Sequence, residues 1–276
     1  MKKRQKRIAL INDITGFGRC SVTVELPLIS ALKVQACPLP TALLSVHTGF
    51  PSHYIDDYTA RMQPYMDNWK ENQLEFDGIC TGFLGSAEQI EIVIDFIRSF
   101  AKKGTRVMVD PVMGDYGKLY SSYTKEMCVE MRSLLTYADL ITPNLTEACE
   151  LLDIPYPENG DVSDSNLRFM ADELSRRGPS QVVITGLHRN GKIQNFIYEK
   201  GSPILIHEVE KIGEDRSGSG DAFAAIVAAC LVNGESLNAA VEKAASFISK
   251  ALAYAVELEL PWNYGLPFEE YLTELK

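Results

Sequence analysis

The residues best suited to chemistry are Ser217-Gly218-Ser219-Gly220-Asp221, a glycine-rich stretch that opens an apolar, alanine-rich run. Glycine permits backbone turns in which successive N–H groups point to one place, and the first N–H groups of a helix lack partners. Such a turn before a helix binds anions. Asp221 adds a carboxylate that could take a proton from an attacking hydroxyl. The alternative is that Asp221 only caps the helix, since aspartate is a preferred N-cap residue.

Two further groups of polar residues could serve a metal-dependent reaction. Asp110 and Asp115 both belong to the segment DPVMGD, and neighbouring carboxylates attract Mg²⁺. Asn144 and Glu147 are three residues apart and share one face of a predicted helix turn, from which they could hold Mg²⁺ through water. Both groups have a structural alternative. Asp110 could bond the following turn, and Asn144 with Glu147 nearly matches a capping box.

Short apolar runs alternate with amphipathic segments along the chain, which predicts the elements that must position these residues. Strands are predicted at 7–11, 41–46, 76–81, 106–110, 139–142 and 181–185, with an antiparallel pair at 193–199 and 203–209. Helices are predicted at 21–32, 54–72, 86–100, 122–135, 144–152, 165–177, 221–232 and 236–256. The alternation indicates an α/β fold, a doubly wound and mostly parallel sheet with helices on both faces. Since no long linker or repeat interrupts it, we expect a single domain over residues 1–276.

Most of the predicted strands end in a small or polar group. Ligands of such sheets collect outside the carboxyl ends of the strands, so these groups become candidates for one cleft. They are Asn12-Asp13, His47-Thr48, Thr81-Gly82-Phe83, Asp110, Thr142-Pro143-Asn144 and Thr185-Gly186. Their clustering at one edge favours an active cleft over scattered helix caps.

The composition excludes several classes of protein. Apolar residues make up 46% of the 276 residues and charged residues 23%, and the net charge of −10 argues against nucleic-acid and anionic-membrane partners. No apolar run has the length of a membrane span. The basic cluster at residues 2–7 precedes an apolar stretch too short for a signal peptide. The six cysteines form no C-x-x-C pair, so we expect buried free thiols and a cytoplasmic location.

These motifs, in this order, resemble those of the ribokinase-like superfamily. The pieces shared with the superfamily are Gly218-Ser219-Gly220-Asp221 and Asn144-x-x-Glu147. Within it, the chain is similar to the vitamin B6 (pyridoxal/pyridoxamine) kinases. The more specific pieces are TGFLGSAEQ at residues 81–89 and DPVMG at residues 110–114, supported by His47-Thr48 and Thr142-Pro143-Asn144-Leu145. The resemblance covers about residues 8–250.

The resemblance implies transfer of the γ-phosphoryl group of ATP to the 5′-hydroxymethyl group of pyridoxal, pyridoxamine or pyridoxine. Asp221 would take the hydroxyl proton, and the backbone N–H groups of Gly218, Ser219 and Gly220 would stabilise the moving phosphoryl group. Asn144, Glu147 and Asp110 would position Mg²⁺, largely through water. The same likeness implies a homodimer and leaves open activation by a monovalent cation.

Further roles follow from matching positions in the family. On the nucleotide side the matching residues are Asp110, Asp115, Thr142, Asn144, Glu147, Thr185, Gly186, Ser217, Gly218 and Gly220. On the substrate side they are Asn12, Thr48, Phe83 and Asp221. Asp115 falls where the family has a mobile loop that covers the ligand, with Gly114 and Gly117 as expected hinges.

Three departures from the B6 kinase pattern keep alternatives open. Asn12 followed by Asp13 stands where those kinases commonly have a serine, Phe83 stands where they often have tyrosine, and Arg216-Ser217 precedes the glycine turn. The first departure is also similar to hydroxymethylpyrimidine kinases, which are the main alternative. A non-catalytic ligand-binding relative is the other alternative, against which the retained Asp221 argues.

Overall fold

The structure is a computed structural model that describes residues 4–275. Residues 1–3, with Lys2 and Lys3 of the basic cluster, and Lys276 lie outside the described residues. The strands within the described range are β1 (Arg7–Phe17), β2 (Gln35–Val46), β3 (Ile55–Asp57), β4 (Gly78–Thr81), β5 (Arg106–Val109), β6 (Gly114–Asp115), β7 (Lys118–Leu119), β8 (Leu140–Ile141), β9 (Gln181–Arg189), β10 (Lys192–Glu199) and β11 (Leu205–Glu210). The helices are α1 (Val22–Ala31), α2 (Thr59–Glu71), α3 (Ala87–Phe100), α4 (Lys125–Leu134), α5 (Leu145–Leu152), α6 (Asp164–Arg176), α7 (Ser219–Asn233) and α8 (Leu237–Glu257), with short 3₁₀ turns at Leu135–Tyr137, Glu158–Gly160, Trp262–Tyr264 and Glu269–Leu275.

A nine-stranded sheet forms the centre of the fold, in the order β11-β10-β9-β8-β5-β4-β1-β2-β3. The strands from β9 to β2 are parallel, whereas β10 and β11 at one edge and β3 at the other run antiparallel to their neighbours. The predicted doubly wound, mostly parallel α/β fold is therefore confirmed. A separate hairpin of β6 and β7 stands outside the large sheet.

Helices cover both faces of the sheet and enclose two apolar cores. Residues of α2 to α6 pack on one face, and residues of α1, α7 and α8 pack on the other. Helix α7 is buried along nearly its whole length, because residues 222–230 offer only apolar or small side chains. A helix that is apolar all round belongs inside a layer, so α7 lies against the sheet with its N-terminus fixed at the strand ends.

Strand alternation decides which polar side chains reach that N-terminus. Ile8 and Leu10 of β1 face the core of α1 and α7, while Ala9 and Ile11 face the opposite core. Successive side chains of a strand alternate between faces, so Asn12 continues the α7 side. The same two-residue step extends the α7-facing residues Met108, Leu140 and Val183 to Asp110, Thr142 and Thr185.

The structure corrects several predicted bounds. Strands β1 and β2 are longer than the predicted 7–11 and 41–46, and the hairpin of β6 and β7 was not predicted. The predicted helix 54–72 is wrong in its first residues, which form β3. Pairing of β3 with residues 42–44 overrides the local helical pattern, and the Asp57 carboxylate accepts the Thr59 N–H where α2 begins.

Two predictions about the composition can be compared with the structure. All six cysteines are free as predicted, with five buried and Cys37 half-buried. Among residues 4–275, no helix combines the length and the apolar character that crossing a membrane requires.

Candidate active site

A cavity of about 540 Å³ opens at the carboxyl ends of the parallel strands. All the residues predicted for catalysis and for the nucleotide line it. These residues are Asp110, Asp115, Thr142, Asn144, Glu147, Thr185, Gly186, Ser217, Gly218, Ser219, Gly220 and Asp221. They come from four separate stretches of the sequence, residues 110–115, 142–147, 185–186 and 217–221, so the fold brings together what the sequence predicted only as scattered strand ends.

The glycine-rich turn ends at the N-terminus of α7, which begins at Ser219. Gly218 has φ +82°, and a Cβ there would overlap the carbonyl oxygen of Arg19, so only glycine fits this position. The first N–H groups of α7 lack intrahelical acceptors because of their position. The Ser219 hydroxyl is buried without a hydrogen-bond partner. The Ser219 N–H donates to the Arg216 carbonyl at 3.3 Å, so the Ser219 hydroxyl is the donor of this turn that lacks a partner among the described residues, at a helix N-terminus of the kind that binds anions.

Asp221 is half-buried in the first turn of α7 and faces the cavity. Its Oδ2 accepts a hydrogen bond of 2.8 Å from the backbone N–H of Ser21, in the turn between β1 and α1. Burial raises the pKa of Asp221 to about 6, with a further increase from the charge of Asp13, while the Ser21 N–H acts in the opposite direction. Such a carboxyl is ionised at neutral pH yet able to hold a proton, which suits a general base.

Asp110 lies beside Asp221 and is almost fully buried. Thr142 donates its hydroxyl to Asp110 Oδ1 over 2.9 Å. Burial and the charge of Asp221 raise the pKa of Asp110 to about 8. Two carboxyls held this close favour a bound cation or a shared proton.

Asn144 and Glu147 form a complete capping box at the start of α5. The Asn144 side chain accepts the Glu147 N–H at 2.9 Å, and Glu147 Oε2 accepts the Asn144 N–H at 2.8 Å. Glu147 Oε1 also accepts the Met113 N–H, and the Asn144 amide donates to the Gly114 carbonyl. The structural alternative weighed for this pair therefore holds, and both residues line the cavity nonetheless.

The donor chemistry of this region fits Mg²⁺ held mainly by water. Each Glu147 oxygen accepts one backbone hydrogen bond and keeps a free lone pair, and Asp110 faces the same cavity. No three His, Cys, Asp or Glu side chains converge on a direct metal cage in the described part of the chain. Mg²⁺ commonly takes one or two carboxylates, several waters and substrate phosphates, so these residues suit it.

The hairpin of β6 and β7 forms one wall of the cavity. A Cβ at Gly114 would overlap the Lys118 carbonyl, and Gly117 has φ +73°, so both glycines are needed for this tight turn. The Gly117 N–H is bonded to the Thr146 hydroxyl at 2.8 Å, and Tyr116 meets His188 edge-on with ring centroids 5.9 Å apart. The hairpin thus contacts the opposite wall near β9, and its movement as a cover stays a prediction.

None of Asn12, Thr48 and Phe83 lies on this cavity. Asn12 has no exposed surface, because its side chain fills the space left by Gly82. Its Oδ1 accepts the N–H groups of Asp13 and Phe83. Asn12 is therefore a positioning residue here rather than an exposed ligand contact. Thr48 is exposed in the turn after β2 and Phe83 is half-buried, and their substrate roles stay predictions.

Sequence reasoning missed the residues that surround Asp221 on the β1 side. The Ser21 N–H donates directly to the Asp221 carboxyl, and the fully buried Glu25 accepts the Asn12 amide at 2.9 Å. Burial raises the pKa of Glu25 well above its ordinary value. The apolar face of α8 at Ile248 and Leu252 also lines the cavity. No local motif marks any of these residues, although a carboxylate inside the apolar face of α1 is an unusual feature of the sequence.

The fold and the arrangement of the glycine turn define a small-molecule kinase of the ribokinase-like superfamily. The chain belongs to the phosphomethylpyrimidine kinase family, whose sequence profile matches residues 27–263. Its relatives include pyridoxal kinases and hydroxymethylpyrimidine kinases, so it is a kinase of that combined group.

Three relatives illustrate the range. A crystal structure from Bacteroides thetaiotaomicron VPI-5482, assigned by name to the phosphomethylpyrimidine kinases and determined with pyridoxal, is 38% identical with a TM-score of 0.95 and covers 99% of this chain and 96% of that one. Pyridoxal kinase PdxY of Pasteurella multocida (strain Pm70) is 29% identical over 72% of this chain and 70% of its own. A hydroxymethylpyrimidine/phosphomethylpyrimidine kinase of Haemophilus influenzae is 28% identical over 68% of this chain and 69% of its own.

Solved pyridoxal kinases that are under 25% identical share the same fold, and two of them were determined in complex with ADP. The resemblance to the ribokinase-like superfamily and its pyridoxal kinases is therefore confirmed.

Proposed function

We propose that the chain transfers the γ-phosphoryl group of ATP to the 5′-hydroxymethyl group of pyridoxal, pyridoxamine or pyridoxine. The observation that carries the reaction type is the Asp221 carboxyl beside the glycine turn and its buried Ser219 hydroxyl, in one cavity with Asp110 and Glu147. The presence of pyridoxal in the relative that is 38% identical supports the choice of alcohol.

Asp221 acts as the base in this proposal. At pH 7.5 a carboxyl with a pKa of about 6 is mostly ionised, so it can accept the proton of the attacking hydroxyl. The Ser21 N–H donates to Oδ2, and Oδ1 would be the oxygen that receives that proton. The capping role and the catalytic role of Asp221 are compatible with each other, since a residue in the first helical turn can still face the cavity.

The glycine turn stabilises the charge of the transferring phosphoryl group. The donors are the backbone N–H groups of Gly218, Ser219 and Gly220, and the buried Ser219 hydroxyl adds another. Because the fold fixes these groups in advance, they need no reorganisation during the reaction. Mg²⁺, held through water by Asp110, Asn144 and Glu147, would neutralise phosphate charge when it is bound.

The nucleotide would lie along the rest of the cavity. Its apolar wall includes Val209, Ile212, Ile248 and Leu252, which offers a surface for a flat base. Thr142, Thr185, Gly186 and Ser217 line the same cavity, and the family resemblance assigns them to the nucleotide. Asp115 reaches the same space from the hairpin of β6 and β7.

A second candidate is phosphorylation of hydroxymethylpyrimidine by the same residues. The family profile and the relative from Haemophilus influenzae favour it. Phe83 also lacks the hydroxyl that B6 kinases often carry at this position. The two candidates share the reaction and differ in the alcohol that is phosphorylated, so a direct comparison of alcohols separates them.

The deciding experiment measures ADP release across pyridoxal, pyridoxamine, pyridoxine and hydroxymethylpyrimidine, with Mg²⁺ and ATP. We expect a higher kcat/KM for at least one B6 vitamer than for the pyrimidine, and loss of turnover on removal of Mg²⁺. Preference for hydroxymethylpyrimidine would select the second candidate. Binding of pyridoxal without turnover of any alcohol would instead support the non-catalytic alternative.

Other properties of the molecule are proposed on the family resemblance. We expect one domain, a cytoplasmic location and a homodimer. The resemblance leaves open whether a monovalent cation activates the enzyme. The β3 edge exposes Tyr54 and Ile55, which would suit contact with a second copy. Sedimentation at several concentrations tests the dimer, and activity in K⁺ and in tetramethylammonium salts tests the monovalent cation.

A further inference from the structure

The last part of the described chain returns to the active site. Residues 260–269, called the C-terminal segment below, follow α8 and contact three separate parts of the chain. They are the turn between β1 and α1, the turn after β2, and Arg216, which directly precedes the glycine turn. The segment carries the aromatic residues Trp262, Tyr264 and Phe268.

Arg216 ties the C-terminal segment to the glycine turn. Its guanidinium donates to the carbonyl oxygens of Leu260 and Pro261 over 2.8 and 2.9 Å. The next residue, Ser217, begins the glycine turn, so these two bonds fix the entry of the chain into the anion site.

Arg19 ties the same segment to the turn between β1 and α1. It donates to the Tyr264 carbonyl at 3.1 Å and forms an ion pair of 2.7 Å with Glu269. A Cβ on Gly265 would overlap the Gly18 carbonyl, so the two backbones are in direct contact. The other side of this turn abuts Gly218 through the Arg19 carbonyl.

The turn between β1 and α1 has a backbone that needs external support. Arg19 and Ser21 have φ values of +48° and +54°, which are unfavourable for residues with side chains. Such conformations persist only where surrounding contacts hold them. This turn also supplies the Ser21 N–H that bonds Asp221. Support of the turn is therefore support of the catalytic carboxyl.

A third contact comes from the turn after β2. His47 Nε2 lies 2.8 Å from the Asn263 carbonyl, and Trp262 packs so closely on Gly49 that a Cβ there would lie 2.6 Å from its ring. The C-terminal segment thus joins the predicted substrate-side turn, which includes Thr48, to both turns around Asp221.

We infer that the C-terminal segment positions the phosphotransfer site by clamping the Arg19 turn against Gly218 and Asp221. Arg19 and Arg216 are positioning residues in this inference, which rests on the proposed function. Loss of either arginine lets the two turns separate, so Asp221 and the anion donors leave their aligned arrangement. Misplacement of reacting groups by about 1 Å lowers rates by about 100-fold.

The test compares Arg19→Gln and Arg216→Gln with Lys250→Gln. Lys250 pairs with Glu274, so the control removes another ion pair to the end of the chain but touches no active-site turn. We expect kcat to fall about 10- to 100-fold in each arginine variant, with KM for ATP within about threefold of wild type. Lys250→Gln should keep wild-type kcat. Arg19→Lys, which retains the pairing charge, should recover part of the loss.

The double variant adds a readout that loss of stability would not produce. Because both arginines act through one segment, Arg19→Gln with Arg216→Gln should lose less than the product of the single losses. Assays run well below the unfolding temperature of each variant keep folding out of the comparison. Unchanged kcat in both single variants would overturn the inference. So would a rise in KM for ATP confined to Arg216→Gln, which would assign that residue to direct nucleotide binding.

Hydrogen exchange tests the clamp without a measurement of kinase activity. The amide of Ser21 should exchange faster in Arg19→Gln and Arg216→Gln than in wild type or Lys250→Gln, since its bond to Asp221 opens more often. Unchanged exchange would refute the clamp. If wild type turns over no alcohol, the proposed function fails, and the exchange data still decide the clamp.

Discussion

Replacement of Asp221 with asparagine separates the chemistry at this position from its place in the fold. Asparagine has nearly the same shape, and its side-chain oxygen can still accept the Ser21 N–H. It cannot accept a proton from the substrate hydroxyl. Loss of a general base lowers turnover by about 10²- to 10⁴-fold. We expect a loss of that size in kcat, with ATP binding retained.

The same substitution should stabilise the folded protein. Burial raises the pKa of Asp221 from 3.8 to about 6, so the folded state holds this proton more tightly than the unfolded chain. The ionised carboxyl therefore destabilises the fold above pH 6, and this effect fades as the pH falls towards 3.8. A shift of this size corresponds to about 1–3 kcal/mol at pH 8. Asp221→Asn should gain that much at pH 8 and far less near pH 4.

The assays are ADP release for kcat and urea unfolding at pH 8 and pH 4 for stability. Asp95→Asn is a suitable control, because Asp95 is exposed on α3 and pairs with Arg98 within its own helix.

In wild type, kcat/KM should also fall about tenfold per pH unit below pH 6, as Asp221 takes up its proton. More than a tenth of wild-type turnover in Asp221→Asn would refute the role of the base. No gain in stability at pH 8 would refute the assignment of a destabilising buried carboxylate.

Two pairs of substitutions test how the backbone around the site is held. Asn144→Ala removes the cap of α5 and the bond to the Gly114 carbonyl, so we expect a loss of about 1–2 kcal/mol in urea unfolding and a lower kcat. Ser163→Ala removes the cap of α6 at a residue that does not line the cavity, and should lower stability without changing kcat. At Gly82 a Cβ would overlap the Asn12 amide, so Gly82→Ala should lose about 1–3 kcal/mol and most of its turnover. Gly85→Ala meets only ordinary contacts at 3.6 Å or more and should behave like wild type in both assays.

Much of the fold could be predicted because strand and helix patterns alternate regularly along the chain. The order of elements gave the parallel sheet, and the period of two in each strand explains why Asp110, Thr142 and Thr185 share a face. The glycine turn and Asn144-x-x-Glu147 carry local rules of helix termini, so their positions followed from sequence too. The short strand β3 was missed because pairing with β2, and not local preference, determines it.

Side-chain accessibility at a strand end could not be predicted in the same way. Asn12 lies within β1, where the sequence had predicted the end of that strand, whereas Asp110 directly follows β5, and both belong to the face of the sheet that α1 and α7 cover. Asn12 is buried because Gly82 on the neighbouring strand has no side chain, which leaves space for the amide. That space depends on the register of two strands about 70 residues apart. The sequence shows both residues but not their contact.

The carboxyls clustered around the start of α7 resist ionisation in the folded protein. Asp13, Glu25, Asp110 and Asp221 all have raised pKa values, chiefly because of burial. Each ionised member raises the pKa of a neighbour, so the cluster opposes its own full ionisation. A bound cation would neutralise these carboxyls, and the N–H groups at the N-terminus of α7 would bind the phosphate anion. The two features would therefore serve the same reaction. Substitutions that neutralise the cluster should make the fold more stable and the kinase slower, because the charge that destabilises the fold is the charge that the proposed reaction uses.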